Sequence, residues 1–211
     1  MRKSRQFSDE QIVATALELL DGGGADAVSI RSVATRLGVN PNAVYTYVAS
    51  RADLERLVAE HILGAVAFPG AAASWADRIV RFAADLRAEL LRHPAVAQLL
   101  MRAPMDGAAA RAVGEWLMAA LAEGMDAEDA ARTTYLVIVH VLGSVALEAA
   151  ETAGVPPLPP ESERIAQRRG ALADVDAQRW PRTAAARDVM ADWISGAQFE
   201  WGLRRILGVQ R

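Results

Sequence analysis

At 211 residues with 52% hydrophobic side chains, the chain can bury a sizeable core, which excludes a wholly disordered protein. It has no cysteine, which excludes disulfides, a cysteine nucleophile and any thiolate metal site. The net charge is −3, and residues 1–63 carry seven Lys/Arg against eight Asp/Glu, so any nucleic-acid contact must come from local placement of charge.

The N-terminal stretch MRKSRQFSDEQ has no apolar signal-peptide core, and no uninterrupted apolar run is long enough to span a bilayer. A soluble, cytoplasmic protein without a membrane partner is expected. Arg2, Lys3 and Arg5 form a basic start suited to phosphates or a minor groove, and equally suited to a solvated tail.

Helical period runs through nearly every segment and no alternating strand pattern stands out. Ser8 and Gln11 form a capping box, and Ile12, Val13, Ala16, Leu17 and Leu20 make one face before Gly22–Gly24 stops the helix. Ser29 caps a second helix with Ile30, Val33, Ala34 and Leu37 on one stripe, and Gly38 ends it. Asn40-Pro41 restarts a short helix over 41–47, Asn as cap and Pro preset for the first turn. Ser50, with Asp53 three residues on, opens a fourth helix that Pro69-Gly70 breaks.

Longer helices are expected at 75–93, 107–123, 127–152 and 184–207, with a short piece at 95–102. The proline-rich 154–160 and the weakly patterned 161–186 read as connections. The boundary falls near 64–73, which divides the chain into 1–66 and 67–211. The fold class expected is all-α: an N-terminal three-helix helix-turn-helix domain and a larger helical domain.

Residues 29–48, SIRSVATRLGVNPNAVYTYV, are the most specific signal. Ala34 is small enough for two helices to cross closely, and Gly38 tolerates the positive φ of the turn. Val33, Leu37, Val39, Val44 and Val48 fill a small core, which turns Asn42, Ala43, Thr46 and Tyr47 outward on a helix too short to stand alone.

The run from Phe7 to Leu63, with its core SIRSVATRLGVNPNAVYTYVASRADL, resembles the DNA-binding domain of the TetR family of bacterial repressors. Beyond residue 74 the resemblance is one of helix layout and local patterns such as Trp75–Leu91 and Phe199–Leu207. It implies phosphate contacts from Tyr45, Tyr47 and Arg51, with Tyr47 standing where histidine is commoner. It places Ser29 and Arg31 at the start of the second helix, near the DNA backbone. Asn42, Ala43 and Thr46 match positions that reach base edges, and Asn is chemically suited to adenine.

The resemblance also implies double-stranded operator DNA, a small lipophilic effector and a second copy of the chain as partners. Residues 133–150 are apolar nearly all round, so more than one neighbour must cover them. Gly143 and Leu147 there, with Ala197, Trp201 and Leu203 on the last helix, are the candidate dimer face. Candidate pocket residues are Phe82, Leu86, Met101, Trp116, Leu117, Tyr135, Val139 and His140.

No cofactor or metal is expected, since the three histidines at 61, 93 and 140 lack ligand spacing and no phosphate loop or nucleophile elbow is present. Glu148, Glu151, Glu161 and Glu163 read as solvated helix ends. The functional expectation is a dimeric, ligand-released repressor on a palindromic operator. The rival is a helical enzyme or adaptor whose first helices only resemble the motif, and an activator or constitutive DNA binder would keep the same fold.

Overall fold

The computed structural model describes residues 7–71, 73–151 and 156–209, so Arg2, Lys3 and Arg5 and the start of the proline-rich segment lie outside it. Among the described residues the chain is all-α, with no strand. Helix α1 (Asp9–Gly23) opens on the Ser8–Gln11 capping box and closes on Gly24, whose φ is 68°. A single 3-10 turn, Ala25–Ala27, leads to α2 (Ile30–Leu37). There the Ser29 hydroxyl accepts the Ser32 N–H and the Ser32 hydroxyl accepts the Ser29 N–H.

Helix α3 is one turn, Pro41–Val44, and tighter bonds from Thr46 and Tyr47 to the carbonyls of Ala43 and Val44 carry the coil onward. The expected helix over 41–47 is therefore α-helical only in its first half. Ser50 then caps α4 (Arg51–Ala65).

Helices α5 (Trp75–Arg92), α6 (Pro94–Leu100), α7 (Ala108–Leu121) and α8 (Ala127–Glu151) form the larger bundle with α11 (Gly196–Ile206). One core runs unbroken from Ile12 to Leu207, and α4 belongs to both of its ends. With 25 residues, α8 is long and apolar enough to cross a membrane by length and composition. Here Val137, Val141 and Val145 face the core. Against α11 it approaches closely: a methyl group on Gly202 would stand 2.7 Å from the His140 ring.

One helix lies where a loop was expected, α9 (Glu161–Ala171), and another, α10 (Pro181–Ala191), begins three residues ahead of the expected final helix. The single helix expected over 184–207 is broken by a 3-10 turn, Asp192–Ile194, and by Ser195, which caps α11. Ion pairs, not an apolar stripe, hold α9. Glu148 of α8, only 1% exposed, accepts from Arg87 of α5 at 2.7 Å and pairs with Arg164 of α9. Arg87 also donates to the Ile194 carbonyl at 3.0 Å, and Arg168 pairs with Glu151. Glu148 is thus no solvated helix end; it is the centre of a buried cluster.

Removing one partner of such a cluster leaves buried charge uncompensated. Glu148→Ala is therefore expected to lower unfolding free energy by about 3–5 kcal/mol in urea titrations. A loss below about 1 kcal/mol, the worth of an exposed pair, would overturn that assignment.

Candidate nucleic-acid interface and apolar cavity

The turn between α2 and α3 is closed as a Schellman motif. Gly38 takes φ 69°, and Val39 N–H donates to the Ala34 carbonyl at 2.9 Å. Asn40 caps α3 through its side chain, accepting Asn42 N–H at 2.9 Å. Val44 and Val48 anchor the turn from beneath, both buried. Asn42, Tyr45 and Thr46 are left exposed, Ala43 half-buried, and Arg31 exposed on the first turn of α2. Ser29 is half-buried, its hydroxyl already engaged by Ser32.

Two expected phosphate contacts have internal partners. Tyr47 does not point outward: it stacks on Phe7 with ring centroids 4.7 Å apart, and its hydroxyl donates to the Phe7 carbonyl. The ring thereby ties residue 7 to the end of the recognition turn. Arg51 donates from Nε to Glu55 at 2.9 Å and from Nη2 to the Ala25 carbonyl at 2.9 Å. Its side chain is still nearly half exposed. At the cap of α4 the Ser50 hydroxyl, and then Arg56, hold the Asp53 carboxyl below the usual carboxylate range. Asp106 and Asp53 hold Arg56 above its ordinary value.

The larger bundle holds a partly open cavity of about 220 Å³ between α5, α7 and α8. Phe82, Ala83 and Leu86 of α5, Val113, Gly114 and Leu117 of α7, and Val137 and Val141 of α8 form much of its wall. Leu63 of α4 and the exposed Met105 also line it. The lining side chains carry no hydrogen-bonding group apart from the Met105 thioether. A wider recess between α1, α2 and residues 156–160 is open and charged, with Glu18, Asp21, Arg36 and Arg92 on its walls.

Several expected pocket residues lie elsewhere. Tyr135, 67% exposed, and Val139 point out from α8, because the inward register is set by Val137 and Val141. Met101 is exposed in the turn after α6. Trp116 stacks on Phe68 at 5.2 Å and against Phe82 at 4.9 Å, outside the lining. His140 stacks on Phe199 and its Nε2 donates to the Phe199 carbonyl at 2.9 Å, toward α11. On the candidate dimer face, Leu147, Ala197 and Trp201 are exposed and Gly143 half-buried, but Leu203 is fully buried inside the subunit. Of the fourteen lining residues, only Phe82, Leu86 and Leu117 were expected; Met105 and Gly114 are among those missed. Neither carried a periodic apolar signal, since one lies in a loop and the other has no side chain.

Comparison with known proteins bears on both regions. Residues 12–56 match the bacterial regulatory proteins of the tetR family, and residues 68–210 match the tetracyclin repressor-like C-terminal domain. The chain belongs to the TetR family. An HTH-type transcriptional regulator of Saccharopolyspora erythraea is 35% identical over 144 residues, 67% of this chain and 61% of that protein. The alignments thus span about three fifths of the first curated relatives' length.

Among solved structures, the Streptomyces coelicolor TetR family protein ActR in complex with actinorhodin superposes with a TM-score of 0.77 at 27% identity. That match covers 96% of this chain and 94% of that one. BioQ with its natural double-stranded DNA operator superposes with a TM-score of 0.61 at 28% identity, covering 69% of this chain and 89% of that one. TetR-type helix-turn-helix geometry here depends on the left-handed Gly38. A Cβ at that position meets nothing within 4 Å, so its cost is purely conformational. Gly38→Ala should lower stability by about 1–2 kcal/mol, with Gly38→Asn milder, by chemical denaturation.

Proposed function

We propose that this TetR-family chain is a homodimeric transcriptional repressor, acting in the cytoplasm by binding rather than catalysis, that leaves its operator when a small neutral lipophilic molecule enters the α5–α7–α8 cavity. The observation that carries the reading is the pairing of an exposed recognition turn, which leads into α4, with an apolar cavity that Leu63 of α4 helps to line. The operator complex of BioQ and the actinorhodin complex of ActR support the two halves of this reading by analogy. A division near residues 66 and 67 separates the two functions, with α4 ending at Ala65.

Asn42, Ala43 and Thr46 read base edges, and Ser29, Arg31, Tyr45 and Arg51 meet the phosphates. Tyr47 acts from behind, by fixing the chain at Phe7. The second copy packs on the apolar stripe of Tyr135, Leu136, Val139 and Leu147, with Trp201 of α11 beside it, all exposed in one subunit. Two-fold pairing sets two recognition turns against a palindromic site.

The cavity limits the effector. An apolar void of about 150 Å³ accepts benzene, so one of about 220 Å³ suits roughly ten heavy atoms. A carboxylate or ammonium held within the lining would find no side-chain partner, which favours neutral molecules.

Selection from random DNA duplexes should return a palindrome. Asn42→Ala should cost about 1–3 kcal/mol on that site and far less on random DNA, while Arg51→Ala weakens both and lowers the salt slope by about 0.9 per lost phosphate contact. Failure to enrich any sequence would defeat the regulator reading. Leu147→Glu with Trp201→Glu should yield helical monomers in sedimentation; an unchanged dimer would place the interface elsewhere. Gly114 looks into open space, so Gly114→Leu fills the cavity. That variant should hold the selected DNA and ignore naphthalene, a ten-carbon probe that releases the wild type; release of both would move the effector site.

A further inference from the structure

Helix α9 carries arginines at 164 and 168, four residues apart and therefore on one face. Beside that face, toward the end of α8 and the 3-10 turn Asp192–Ile194, lies a partly open pocket of about 280 Å³. Arg164, Gln167 and Arg168 of α9 and Glu151 of α8 form its polar side. Leu172 and Ile194 belong to its apolar side. It shares no lining residue with the apolar cavity of the bundle.

The two arginines are fixed from behind. Arg164, only 6% exposed, pairs with Glu148 and donates from Nε to the Pro159 carbonyl at 2.9 Å. Arg168 pairs with Glu151 and donates from Nη2 to the Met190 carbonyl at 3.1 Å. Its Nε is buried and meets no acceptor, and the Nε of Arg87 in the same cluster is in the same position. A buried N–H left unpaired is costly, so this cluster is short of acceptors. Glu148 cannot supply more, because Arg87 and Arg164 already share it. On the pocket wall itself, two guanidinium groups stand against one carboxylate.

We propose that this pocket is a binding site for a small organic acid, a single carboxylate on an apolar body. The planar fork of Arg168 accommodates two carboxylate oxygens side by side, and the Gln167 amide offers a further donor. The apolar body lies on Leu172 and Ile194. An apolar void of about 150 Å³ accepts benzene, so about 280 Å³ has room for a ring bearing a carboxylate. Because the Arg168 Nε is sealed, the guanidinium must turn from Glu151 to present that edge. Glu151 is thereby the guest's competitor for one arginine.

The test is calorimetric titration of the full chain with benzoate at pH 7 and fixed ionic strength, on wild type, Arg168→Met and Glu151→Gln. Wild type should bind benzoate in the millimolar range or tighter, and its neutral analogue benzamide about tenfold more weakly. Arg168→Met should weaken benzoate by about tenfold. Glu151→Gln keeps every donor and removes the competitor, so it should tighten benzoate by about three- to tenfold. A merely structural Arg168–Glu151 pair predicts the reverse, since either substitution would then loosen the wall.

No uptake of benzoate by wild type, or benzamide bound equally well, would overturn the proposal. Glu151→Gln binding no more tightly than wild type would do the same, and that comparison decides even where Arg168→Met does not fold. Displacement of benzoate by naphthalene would assign it to the apolar cavity and also defeat the acid site.

Discussion

Helix α4 is packed into both ends of a continuous core, and the remaining architecture follows from that constraint. Leu54 and Val58 lie in the core with the helix-turn-helix, while Leu63 reaches the cavity of the larger bundle. Close-packed interiors do not deform smoothly, so a shift at one end must be repacked at the other. The polar groups of α4 follow the same division. Glu55, Arg56 and Glu60 all find partners between α6 and the first turn of α7. The helix thus meets its neighbours through apolar contact on one side and through ionic contact on another.

Arginine supplies most of the long-range ionic chemistry in a chain with one lysine. Its planar fork can serve several acceptors at once without giving up charge. Arg87 reaches Glu148 and a backbone carbonyl, and Arg51 reaches Glu55 and another carbonyl. The first set is sealed from water and fixes α9 against α5 and α8. The second set lies at the surface, where the Arg51 side chain stays nearly half exposed at the start of α4.

Local chemistry made the first half of the fold readable. Capping residues at Ser8, Ser29, Asn40 and Ser50, and the positive-φ glycine at 38, act within a few residues of themselves, so the sequence places them without knowledge of the tertiary fold. The resemblance added family-level roles to the same residues. Helix α9 was hidden because little apolar periodicity marks it; Arg164 and Arg168 secure it by meeting acids of α8. The larger domain was legible as helices but not as faces. Tyr135 and Val137 differ by two positions on one apolar helix, yet one faces outward and the other inward. Leu203 and Trp201 divide in the same way on α11, with the inner one taken by the subunit's own core. Only packing against specific neighbours makes that choice.

The nearly hydrocarbon lining of the cavity has a consequence for how discrimination can evolve. As the proposed effector site, with the Met105 thioether as the one polar group among its side chains, such a void would sort molecules by bulk and shape, and one methylene would shift affinity by only about 1–3 kcal/mol. Chemically unrelated compounds of equal size are then near-equivalent. Gly114 leaves part of the space unfilled at a helix position that accepts larger side chains. On the proposed effector reading, a single base change in its codon would redraw the accepted size range while the scaffold around it stays the same.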